Sequence, residues 1–204
     1  MNNLLRFALL FCLLSAVTLF PTGVRAGNGI DLHYAAKAGD VSLLRQALKK
    51  GAAVDRLDRK ERTPLMFAAR WGQIRAMQFL LAAGANPDAA STDGYTPLMY
   101  ATYGGFIDAV RVLLLEANAN WRPENNKGQT ALAIARSRGN YTVRVYLARE
   151  FLGPMLWQSL RGEDLEEFDF LLEYGADATT PGPNKENLLE VCLTRRNTQA
   201  LASL

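Results

Sequence analysis

Thr63-Pro64-Leu65-Met66-Phe67-Ala68-Ala69-Arg70-Trp71-Gly72 is the stretch that decides the fold. Threonine suits a helix N-cap, where its hydroxyl accepts a backbone N–H that has no partner inside the helix. Proline suits the first helical position, where its missing N–H is not needed. Leu65, Ala68 and Ala69 stand at i, i+3 and i+4 and form one apolar stripe, whose small alanines let a neighbouring helix come close. Gly72 can take the left-handed conformation that ends a helix. A second helix is expected over Gln73–Ala83, burying Ala76, Met77, Phe79, Leu80 and Leu81, with Gly84 ending it in the same way. Ala85-Asn86-Pro87-Asp88 then leads to a polar turn closing at Asp93-Gly94, and Thr96-Pro97-Leu98-Met99-Tyr100-Ala101 starts the pattern again.

Working outward, Gly39, Gly72, Gly105 and Gly139 fall at steps of 33, 33 and 34 residues within similar surroundings. Self-similarity at this period means stacked small units of helix, turn, helix and protruding loop, with no single closed core. The unit resembles the ankyrin repeat, which starts Thr-Pro-Leu-His-x-Ala. Thr-Pro-Leu occurs at Thr63 and at Thr96 and returns as Thr130-Ala131-Leu132. The family's histidine position holds Met66, Met99 and Ala133, while the first unit, Asp31-Leu32-His33-Tyr34-Ala35-Ala36, keeps it as His33. The helix-ending Gly-Ala-Asp/Asn appears at Gly84 and Gly175, and as Asn118-Ala119-Asn120, with Asn in the left-handed position.

The resemblance implies an all-α solenoid of about five repeats plus a partial C-terminal cap. The repeats are expected over 30–62, 63–95, 96–129, 130–153 and 154–186, with the partial unit over 187–204. Only 23 residues separate Gly139 from Gly162, so the fourth loop reads as deleted, and the last unit has Arg196 where glycine is usual. Leu65, Leu80, Leu98, Leu113 and Leu132 are assigned to the core.

Residues 1–26 read as a cleavable secretory signal peptide. Arg6 ends a short basic start, Phe7 to Phe20 is apolar apart from Ser15 and Thr18, and Val24 and Ala26 suit a cut after Ala26. The apolar run is too short for a comfortable span of a bilayer core of ~30 Å, which argues against a permanent anchor. Export places the mature chain, 27–204, in the periplasm or outside the cell. The formal charge of +3 loses Arg6 and Arg25 with the signal, leaving 21 basic against 20 acidic residues. Nucleic-acid binding gains no support from that balance. Ten Lys/Arg against four Asp/Glu lie between Lys37 and Arg75, whereas Arg161 to Asp177 is strongly acidic. With Cys12 removed, Cys192 stands alone, and its apolar neighbours make it a buried, inert thiol.

No catalytic, metal or cofactor site is expected. His33 is the one histidine, and no Cys/His cluster has metal-ligand spacing. The resemblance implies that His33 orders its turn through hydrogen bonds. A hydrolase built on His33 is the weaker alternative.

Recognition remains as the expected chemistry. In proteins of this resemblance the loop tips and exposed first-helix positions line a concave face. The matching loop positions here are Arg59, Lys60 and Arg62; Thr92, Asp93 and Tyr95; and Asn126, Lys127 and Gln129. The matching helix positions are Arg70 and Trp71, Tyr103, and Arg138, and Trp121 with Arg122 extends the face from the third loop. Arg, Trp and Tyr are the usual interface anchors. The expected function is thus a non-enzymatic, monomeric module binding a protein partner of acidic or mixed charge. An exported inhibitor of a secreted toxin or effector is the more specific alternative.

Overall fold

The computed structural model describes residues 31–162, 164–183, 185–194 and Leu204. The expected signal segment 1–26, Glu163 of the acidic stretch and Arg196 of the last unit lie outside them. Among the described residues every regular element is a helix. Four helical hairpins come first: α1 (Leu32–Ala38) with α2 (Val41–Lys49), α3 (Pro64–Arg70) with α4 (Ile74–Ala82), α5 (Pro97–Gly104) with α6 (Ile107–Arg111), and α7 (Ala131–Arg138) with α8 (Tyr141–Val145). The first helices of the hairpins, α1, α3, α5 and α7, pack side by side in chain order, and α2, α4, α6 and α8 form the second layer.

Local chemistry starts and stops these helices as the residues require. The hydroxyls of Thr63, Thr96 and Thr130 accept the N–H groups of Met66, Met99 and Ala133, and the Asp31 carboxylate does the same for His33 and Tyr34 in the first unit. Met66 adds its sulfur, which accepts the Thr63 N–H at 3.4 Å. At the other end Gly72 has φ +64°, and a Cβ there would stand 2.5 Å from the Phe106 ring. Conformation and close approach both demand glycine. After two of these glycines the next residue reaches back to the preceding unit: the Gln73 amide donates to the Lys37 carbonyl at 3.1 Å, and the Asn140 amide donates to the Thr102 carbonyl at 2.6 Å. Asn118 has φ +49° and ends the third hairpin in glycine's place.

The step of 34 has a physical cause. Gly39 to Gly51 and Gly72 to Gly84 each span 12 residues, whereas Gly105 to Asn118 spans 13. The extra residue is absorbed by winding Val112–Glu116 as a π-helical turn at the end of α6, the usual way a helix takes up one insertion.

All five leucines assigned to the core are buried. Phe79 and Leu81, expected to be buried, are only partly so; α4 is in the second layer, and Arg45 covers the Phe79 ring from 5.2 Å. Cys192 is fully buried.

After the fourth hairpin the pattern changes. No loop follows α8; the chain continues helically through a π-wound segment, Tyr146–Phe151, into α9 (Leu152–Gly162), which packs against α10 (Leu165–Tyr174). A last turn, with the Gly182 N–H donating to Glu186, precedes α11 (Leu188–Thr194). The Trp157 indole N–H fixes this turn by donating to the Thr180 carbonyl at 2.9 Å.

Candidate protein-binding groove

Three loops protrude between the hairpins, and each is built by one side chain at its start. The Asp58 carboxylate accepts the N–H groups of Lys60 and Arg62, the Ser91 hydroxyl that of Tyr95, and the Asn125 amide oxygen those of Lys127 and Gln129. Burial opposes ionisation of Asp58, but hydrogen bonds from Arg62 and the loop N–H groups outweigh it and hold the carboxyl below its ordinary pKa of 3.8. The tips then bond to one another. Thr92 donates its N–H to the Lys60 carbonyl at 3.0 Å, and Asn126 donates its N–H to the Asp93 carbonyl at 3.1 Å. The Asn126 amide adds a bond to the Thr92 carbonyl at 2.9 Å. The rim is thereby fixed by backbone and side chain together.

Between this rim and helices α3 and α5 lies a groove of about 420 Å³. It gathers Lys60, Arg62, Arg70, Asp93, Tyr95, Tyr103, Asn126 and Lys127 of the residues expected from sequence. Tyr103 is the centre of its chemistry. The Arg70 guanidinium carbon lies 4.4 Å from the Tyr103 ring centroid and that of Arg138 lies 4.1 Å from it, both in cation–π range. Tyr100 also lines the groove and was not among the expected residues; its ring packs on Tyr95 at 5.3 Å, with Arg70 also near. It occupies the position of Phe67 and Tyr34 in the preceding units, and that run of aromatics was the available signal.

Other expected residues fall elsewhere. Trp71 is exposed but is not in the groove; it lies under the Lys37 ammonium, 4.7 Å away. Arg59 is exposed at the first tip and does not line the groove. Thr92 and Gln129 help build the rim: the Thr92 hydroxyl donates to Lys60, and the Gln129 side chain accepts from Asn125. Arg62 does line the groove, but its charge is paired with Asp58 at 2.6 Å and its guanidinium lies over Phe67. Trp121 and Arg122 do not extend the face. Trp121 packs edge-on to Phe151 and Tyr174 and against Phe170, Tyr174 donates to its carbonyl, and Arg122 pairs with Glu167 at 2.6 Å.

Arg122 marks a break in the repeat pattern. It occupies the position of Asp55 and Asp88, whose carboxylates accept the N–H groups of Asn86 and Asn120 in the following unit. With Arg in that place the third loop bonds instead to Glu167 of the acidic helix α10.

His33 is fully used in structure. Its Nε2 lies 2.8 Å from the Arg56 carbonyl and 3.0 Å from that of Arg62; both can only accept, so Nε2 carries the proton. Among the described residues no group of three His, Cys, Asp or Glu side chains is placed to hold a metal ion, and no helix is long and apolar enough to cross a membrane.

Stacked hairpins, a bonded loop rim and a concave face of Arg, Lys and Tyr define a helical-repeat interaction module. A family model described as ankyrin repeats in three copies matches residues 17–91 and 75–154, and the chain belongs to the ankyrin repeat family. No curated protein matches the chain.

Proposed function

We propose that the chain is a non-enzymatic binding protein that grips a protein partner in the groove around Tyr103 and works in the periplasm. The observation that carries the binding site is the clustering of Arg70, Tyr100 and Tyr103 beneath loops already bonded to one another, with Arg138 on the Tyr103 ring at its edge. A pre-ordered rim loses little conformational freedom on association, so more of the contact energy appears as affinity. Export is supported by the order of residues 1–26, a basic start, an apolar run and compact side chains at Val24 and Ala26.

Affinity capture from an envelope fraction, repeated with Tyr103→Ala, tests the site. Loss of the captured partner by a variant whose circular dichroism is unchanged is the expected result; undiminished capture removes the groove as the site. N-terminal sequencing of the expressed protein tests export, with a mature chain beginning near Gly27 expected. A chain still carrying Met1 to Ala26 in the envelope rejects cleavage.

A further inference from the structure

Tyr103 holds two arginines that no described carboxylate holds. Among the described residues no ion pair involves Arg70, Arg138, Lys60 or Lys127, although Arg62, Arg111, Arg122, Arg149 and Arg161 all have acidic partners. Among the described residues Asp93 is the one acid lining the groove, and it sits at the rim between the first and third tips. Cations gathered in a concave site repel one another, and the site is relieved by an anion. A guanidinium resting on an aromatic face keeps its N–H fork in its own plane, where a carboxylate can be bound by two parallel hydrogen bonds.

Resting on the reading of the groove as the partner site, we propose that its occupant is an extended acidic segment of the partner. A carboxylate of that segment is received by Arg70 in the groove, Arg138 on the Tyr103 ring adds a second cation beside it, and neighbouring side chains lie along Tyr95 and Tyr100. Extension is inferred from size: a groove of about 420 Å³ takes a few side chains, which a segment laid from the Lys60 tip to the Lys127 tip supplies. Acidity follows from the unpaired cations. The Lys60 and Lys127 side chains at the two outer tips draw the segment in, an attraction that falls as salt rises.

The probe is poly-L-glutamate, an extended polycarboxylate at neutral pH, with heparin and inorganic polyphosphate as anions of other chemistry. Fluorescence anisotropy of labelled poly-L-glutamate is expected to report binding that weakens roughly tenfold or more in R70Q/R138Q. R138Q alone, an exposed site, is expected to weaken it too, and R70K/R138K is expected to fall short of wild type because lysine lacks the fork. R75Q/R144Q, on exposed positions of the second layer, is expected to bind as wild type. Equal binding by R70Q/R138Q, equal weakening by R75Q/R144Q, or heparin and polyphosphate binding as tightly and with the same losses overturns the proposal. The captured envelope partner separates the two readings. A partner lost in R70Q/R138Q while poly-L-glutamate never binds leaves the groove as the site and removes the acidic segment; a partner retained while poly-L-glutamate binding is lost removes the groove as the partner site, and the proposal with it.

Discussion

The Thr102 hydroxyl is buried among the described residues without a hydrogen-bond partner, at a position where earlier units have Ala36 and Ala69. A buried hydroxyl left unpaired costs about 1–3 kcal/mol, and valine keeps its shape without that cost. Thr102→Val is therefore expected to raise stability by about 1 kcal/mol, seen as a higher urea midpoint at unchanged slope. Glu61 offers a second gain. It holds φ +55° at the tip position where the second and third loops have Gly94 and Gly128. A side chain in that region costs roughly 1–2 kcal/mol, so Glu61→Gly is expected to stabilise by about 1 kcal/mol, the flexibility of glycine taking back part of the relief. Gly94→Ala is the opposite test, since its Cβ would meet the Asn126 backbone nitrogen at 2.9 Å and a stability loss is expected in the same titration. Much at this scale was legible from sequence: the threonine caps, the helix-ending glycines and Asn118 all follow from what single residues can do. Trp71 was not. It follows Arg70 directly, and consecutive helical residues point about 100° apart, so one enters the groove and the other leaves it.

Hairpins and loops could be read from spacing because each is held by contacts within its own unit or the next. The contacts of α10 run across the fold and left no such trace. Tyr174 of α10 reaches the carbonyl of Trp121, and Arg122 reaches Glu167, a pairing of the third loop with a helix more than forty residues away. Burial pushes the Tyr174 hydroxyl up to about 12, against hydrogen bonds from Thr130 and Ala131 that act to lower it. Its stabilising effect is complete below the unfolded value of about 10 and is lost as pH rises through the folded one. Between pH 10 and about 12 the α10 contact with the third loop is therefore expected to loosen. Hydrogen exchange of α10 against pH measures it, and the extra loosening in that window is expected to vanish in Tyr174→Phe. That variant starts less stable by about 1–3 kcal/mol because the Trp121 carbonyl loses its donor. A flat response in the wild type would remove Tyr174 as the holding group.

Over the whole molecule, stability is the sum of units and the faces between them. Leu98 lies on α5, which packs against both α3 and α7, whereas Leu32 lies on α1, which has a described first-layer neighbour on one side. Truncating either to Ala should cost about 2–5 kcal/mol. Hydrogen exchange is expected to rise across three hairpins for Leu98→Ala and across two for Leu32→Ala; identical footprints would mean that the stack behaves as one cooperative block. The groove was partly legible at this scale, because its loop residues repeat with the period, but the choice among them was not. Which cations remain unpaired depends on where each acid lies in space, as Asp58 beside Arg62 shows. The unbroken helical run from Tyr141 to Gly162 also governs how the chain comes apart. A solenoid normally frays one module at a time, each loop serving as a fuse. Here the fourth and fifth modules are joined by helix and not by a loop, so an unravelling that starts at the far end meets no such fuse between them and is expected to remove both in one step.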